Sequence, residues 1–135
     1  VDRATQHEHT LSLINELWGI TPFTEYELKL TEALLKNDSM GAYFLGNYSL
    51  EELKNEIIED AKALKIPQKA LLQYKMILYQ CDISSYTKDA GGLKYLEHMF
   101  EYDDGEKVFD DEDGIIAMSP VYKERYHLLK TEIYG

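Results

Sequence analysis

Two stretches carry a complete set of helix-start signals, and they constrain the fold more than anything else in the chain. Thr24-Glu25-Tyr26-Glu27 sets a hydroxyl three residues ahead of a glutamate, and Ser49-Leu50-Glu51-Glu52 repeats the pattern. In such a capping box the hydroxyl accepts from the backbone N–H of the third helical residue. The glutamate reaches back to the N–H of the cap, so two donors without a helical partner are satisfied. Phe23 with Leu28, and Tyr48 with Leu53, occupy the flanking positions of a hydrophobic staple. The first helix is predicted to run to about Lys36, ended by Asn37-Asp38-Ser39. The second runs to about Lys65, where Ile66-Pro67 forces a break, because the residue before a proline disfavours helical backbone. Pro67 then suits the first position of a third helix that reaches about Cys81.

The same reading extends to both ends. Leu11, Ile14, Leu17 and Trp18 recur at helical spacing and stop at Gly19, an amphipathic helix with a glycine terminus. Leu93, Leu96 and Phe100 make another stripe, with Tyr95, Met99 and Tyr102 beside it. Ser119-Pro120 announces a last helix with Tyr122, Tyr126, Leu129 and Ile133 on one face. The helix from Pro67 is apolar on most sides (Ala70, Leu71, Leu72, Tyr74, Met76, Ile77, Leu78, Tyr79), as a central helix is. Ahead of the last helix, Lys107-Val108-Phe109 and Ile115-Ile116-Ala117-Met118 flank an Asp113-Gly114 turn signal, which predicts a small hairpin. The connection Gly41–Tyr48 is apolar for a loop and is expected to tuck into the core. The expected fold is therefore all-α: an irregular bundle of about six helices, one domain over residues 1–135, with a small acidic hairpin or loop before the last helix.

Composition agrees with a chain that can bury a core. Its 135 residues are 44% hydrophobic and 29% charged, a globular balance. Tyrosine supplies 11 of the 16 aromatic residues, and its polar tip suits half-buried positions in a helical protein. A net charge of −11 opposes direct nucleic-acid binding, which depends on clustered Lys and Arg, and opposes an anionic membrane surface. The single Cys81 excludes an intrachain disulfide and points to a reducing, cytoplasmic compartment. No run reaches the length of a transmembrane helix, and the start lacks a secretion-signal pattern. The chain begins at Val1, which leaves a leader ahead of it open.

The charge is unevenly spread. Residues 97–114 hold nine acids against Lys107, a local charge of −8, whereas Ala61–Cys81 holds Lys62, Lys65, Lys69 and Lys75 and no acid. The stretch Asp103–Gly114 alone packs seven carboxylates into twelve residues. One reading is a solvated tip that keeps the protein soluble. A second is a recognition surface in which Asp103, Asp104, Glu106, Asp110, Asp111, Glu112 and Asp113 steer a basic protein partner while Tyr102 and Phe109 supply apolar contact. The Lys62–Lys75 face offers the same stretch a homo-oligomeric counterpart. A third reading is a cation site. With Gly114 at position six of a calcium loop, Asp111, Asp113 and Ile116 fall correctly, but Phe109 and Pro120 occupy the first and twelfth positions, where carboxylates belong.

Motifs for catalysis are missing. His7 and His9 are two residues apart, about 200° around a helix, so they do not form a two-ligand metal face. There is no G-x-S-x-G elbow, P-loop or G-x-G-x-x-G, and Cys81 lacks the local features of a cysteine nucleophile. The pair of helices around Lys65-Ile66 is too tight and its second member too apolar for a DNA-reading helix-turn-helix. The sequence thus points to a non-enzymatic interaction or regulatory module presenting an acidic surface to a basic partner, of the inhibitor or immunity type. It requires no cofactor or resident metal. A calcium-responsive regulator using residues 103–113 is the rival.

Overall fold

A computed structural model describes residues 5–20, 22–84 and 118–135, together with the backbone of 102–103 and 106–107. Its helices are α1 (Gln6–Leu17), α2 (Glu25–Leu35), α3 (Ser39–Phe44), α4 (Leu50–Leu64), α5 (Gln68–Ser84) and α6 (Pro120–Tyr134), with a 3-10 turn over Trp18–Ile20. The fold is all-α. The helix expected around Leu93–Phe100 lies outside the described residues. Six α-helices are nevertheless present among those described, because the Gly41–Tyr48 connection begins inside a short helix, α3.

Both capped starts fall where the sequence places them. Ser49 closes its box in both directions: the Glu52 N–H donates to Ser49 Oγ at 3.1 Å and the Ser49 N–H donates to Glu52 Oε2 at 2.9 Å. The resulting hydrogen bonds hold the Glu52 carboxyl below its ordinary pKa. Thr24 accepts from the Glu27 N–H at 3.1 Å. α4 ends at Leu64, beside the break expected at Ile66-Pro67: Lys65 turns into the left-handed region at φ 57°, and Ile66 N–H closes back on Ala61 O at 3.1 Å. This is a glycine-type helix stop carried by a lysine.

The core is one cluster built mainly from α3 to α6. Leu53, Ile57, Ala61 and Leu64 of α4 face Leu71, Leu72, Met76 and Tyr79 of α5, and Tyr126, Leu129 and Ile133 of α6. The stripe expected on α6 is thus the buried one, with Tyr122 packed half-buried beside it. α5 contacts α2, α3, α4 and α6, but it is not covered all round, since Tyr74 and Ile77 are exposed.

α3 wedges Met40, Tyr43 and Phe44 into this core, so the apolar connection does tuck inward. Phe44 stacks on Tyr79 with centroids 5.1 Å apart and meets Tyr122 at a tilt, 5.8 Å away. Tyr43 shows what the tyrosines contribute. Its ring is buried, while its hydroxyl donates to Arg125 O at 2.6 Å, and burial pushes its pKa up. The Arg125 guanidinium in turn donates to Phe44 O, so α3 and α6 are pinned by bonds in both directions. Gly46, at φ +83°, turns the chain under that guanidinium, where a side chain would be strained. α2 packs on α4 and α5, and α1 packs on α2; neither α1 nor α2 holds a fully buried residue.

A two-stranded antiparallel ribbon, β1 (Tyr102–Asp103) and β2 (Glu106–Lys107), pairs Tyr102 with Lys107 and Asp103 with Glu106. The hairpin expected around Asp113-Gly114 falls on residues outside those described. Asp104-Gly105 is an equally good two-residue turn.

Candidate functional site

Of the proposed contact residues, Tyr102, Asp103 and Glu106 are placed by their backbone, and Asp104 lies outside the described residues. Phe109, Asp110, Asp111, Glu112 and Asp113 lie outside the described residues. The register brings Asp103 and Glu106 directly opposite each other, with Tyr102 and Lys107 as the next pair. Opposed like charges destabilise a β pair, whereas opposite charges support one. The register therefore pairs two acidic positions across the backbone of the ribbon.

The basic segment is divided by the fold. Lys62, Lys65 and Lys69 are exposed around the α4–α5 junction, and Lys69 Nζ lies 4.7 Å from the centre of the Tyr134 ring. Lys75 is not on that face. Its side chain is 3% exposed and lies inside the fold, so the Lys62–Lys75 face expected from sequence is limited to its first three lysines.

Lys75 joins a charge cluster that the sequence reading missed. Its ammonium donates to Ala33 O at 3.3 Å, one of the last carbonyls of α2, and stands 3.6 Å from Glu56 of α4. Lys36, the C-cap of α2, binds Asp60 at 2.7 Å and lies 3.8 Å from Glu56. Two ammonium groups and two carboxylates thus tie α2, α4 and α5 together with no net charge. The positive heads sit at the C-terminal end of α2, where the helix dipole favours them. Burial lowers the Lys75 pKa, opposed by the charges of Glu56 and Asp60. The Glu56 carboxylate is buried, and the ammonium groups of Lys75 and Lys36, 3.6 and 3.8 Å away, hold it. A sequence signal did exist: Lys75 follows Leu71 and Leu72 and precedes Tyr79 at helical spacing, on the stripe that became the core.

The remaining candidates separate. His7 and His9 lie on α1 as helix residues, half-buried and exposed respectively, and so diverge as their spacing requires. Among the described residues no group of three or more His, Cys, Asp or Glu is arranged to hold a metal ion. Cys81 is exposed on α5, and no helix of the described residues is long and apolar enough to cross a membrane. Comparison with known proteins yields no matching family model, no matching curated protein and no matching solved structure.

Proposed function

We propose that this chain is a non-enzymatic protein-interaction module that presents residues 102–113 to a basic protein partner, in the manner of an inhibitor or immunity-type protein. The observation that carries this reading is the register of the ribbon, which sets Asp103 against Glu106 in the most acidic part of the chain. Repulsion between crowded carboxylates is relieved when a Lys- or Arg-rich surface docks on them, and their field speeds encounter. Tyr102 and Phe109 supply the apolar contact that gives affinity beyond steering. The rest of the molecule supports the same reading. Outside residues 97–114, sixteen acids face thirteen bases, so the body is close to neutral. A single cysteine in the whole chain supports a reducing, cytoplasmic setting as part of this reading.

The test replaces Asp110, Asp111, Glu112 and Asp113 with Ser or Asn. A basic partner captured by the wild-type protein is expected to be lost, with an association rate that falls steeply as salt is raised and a melting temperature equal to or above wild type. Unchanged binding by the neutralised protein refutes the proposal. Two further outcomes assign the stretch elsewhere. A midpoint that rises saturably with Ca²⁺ at fixed ionic strength makes it a cation site. Self-association lost both on this neutralisation and on replacing Lys62, Lys65 and Lys69 makes a second copy the partner.

A further inference from the structure

At the corner where α4 ends and α5 begins, the end of α6 closes one side of an open groove of about 640 Å³. Its floor is apolar, with Ala61 and Ile133 buried and Ile66 half-buried beside them. Lys62, Lys69 and Tyr134 line it from exposed positions, and the Lys69 ammonium lies 4.7 Å from the centre of the Tyr134 ring. Lys65 stands at the same corner, in the left-handed turn that ends α4.

Charge sets this corner apart. Lys29, Lys36, Lys54 and Lys75 each meet a carboxylate at 3.6 Å or less, whereas Lys62, Lys65 and Lys69 form no ion pair among the described residues. Of the acids adjoining the lining in sequence, Asp60 is bound by Lys36 and Glu132 by Lys54, which leaves Glu59 against three ammonium groups. The net −11 of the chain does not erase this positive island, because exposed charges more than about 8 Å apart are largely screened at physiological ionic strength. A matching ligand carries carboxylates around an apolar side chain. Inorganic phosphate would leave the floor uncovered, and nucleic acid needs more than three lysines to hold an acidic protein. An acidic protein segment with one large apolar residue uses both the charge and the floor.

We propose that this groove docks an acidic segment of a partner protein, with Lys62, Lys65 and Lys69 engaging its carboxylates and the floor between Ile66, Ile133 and Tyr134 receiving one leucine or phenylalanine side chain. The surface uses no residue of 102–113 and does not rest on the function proposed above.

The test is a fluorescence-anisotropy titration of the whole chain into a labelled, end-blocked peptide of glutamates flanking one central leucine. Saturable binding that weakens as salt is raised is expected. Exchanging every glutamate for glutamine, or the leucine for alanine, should weaken it about ten-fold in each case. The triple variant Lys62→Gln/Lys65→Gln/Lys69→Gln should lose about as much, and because all three side chains are exposed its melting temperature should match wild type. Neutralising Asp110, Asp111, Glu112 and Asp113 should leave peptide binding unchanged or tighter, so this inference and the acidic-surface proposal fail separately. Absence of saturable binding, equal binding by the triple variant, or equal binding of the glutamine peptide overturns the proposal. Equal binding of the alanine peptide also overturns it, by making the corner a general anion patch.

Discussion

α2 and α4 begin with the same device and end in different surroundings. Each opens with a hydroxyl cap and a glutamate three residues on. In α4 the box closes both ways and Tyr48 packs against the core, whereas in α2 only the hydroxyl half forms among the described residues and Phe23 stays 53% exposed. α4 then buries Leu53, Ile57, Ala61 and Leu64, while α2 lays Leu30, Ala33 and Leu34 half-buried on the core and α1 reaches it less still. Capping is a local transaction between a side chain and the backbone beside it, so it marks where a helix starts. How deeply the helix sinks depends on what covers its apolar stripe, which the cap does not influence.

The largest expected effect tests that contrast directly. Ile57→Ala or Phe44→Ala should cost about 3–5 kcal/mol, because each opens a hole in a fully buried position. Leu13→Ala on the exposed side of α1 should change stability by no more than about 0.5 kcal/mol. Denaturant midpoints measure both, and comparable losses would mean that α1 and α2 belong to the core after all.

Next comes the charge cluster that fastens the outer pair to the inner bundle. Lys75→Met leaves the Glu56 carboxylate in a nearly dry site with only Lys36, 3.8 Å away, to balance it, and should cost about 3 kcal/mol. The double variant Lys75→Met/Glu56→Leu should recover most of the loss, since an apolar pair of similar volume replaces a buried ion pair with little penalty. If the double variant is as unstable as the single, the cluster holds the helices through more than charge balance.

The same lysine gives a pH test. Its folded pKa lies below the unfolded value of about 10.4, so between the two the unfolded chain binds more protons. Its contribution to stability therefore rises with pH across that window. The wild type should gain on the double variant as pH climbs toward 10, as read from urea unfolding at a series of pH values. Tyr43, whose pKa is raised, acts in the opposite direction above pH 10 but is common to both proteins. A gap between the two proteins that shrinks with rising pH would contradict the assigned shift.

The smallest effects compare the two caps. Ser49→Ala should cost about 1 kcal/mol, and Thr24→Ala less, since only the first dismantles a reciprocal box. The Ser49 box also leaves a mark in acid. The Glu52 carboxyl titrates below its unfolded value, so its contribution is present above that value and is lost as pH falls through the folded pKa. That acid-side loss should be absent from Ser49→Ala. Equal costs at the two caps would place them in equivalent environments.

Of the candidate site, only the concentration of acids was visible in the sequence. The Asp103–Glu106 register depends on which of two Asp-Gly turns closes a hairpin, and local turn chemistry serves both equally. Lys75 looked like a member of a basic face because it shares an acid-free segment with Lys62, Lys65 and Lys69. Composition counts charges along the chain, but burial follows position around the helix, and there Lys75 falls among Leu71, Leu72 and Tyr79. The short helix α3 is not distinguishable from a connection in the sequence, because six residues are too few for a periodic pattern to emerge.

By itself, the sequence determined that the chain is helical, where α2, α4 and α6 begin, which face of α6 is buried and that the charge is concentrated in residues 97–114. Each of these rests on residues within one or two turns of each other. The tertiary structure alone decided that α3 plugs the core, that Arg125 and Tyr43 lock it across 82 positions of sequence, and that Lys65 ends α4 in a conformation more often given to glycine. It also decided that one lysine of four goes inside. The reason is physical: burying a polar or charged group is tolerable only when its partner arrives from another element, and no local pattern specifies which element that will be.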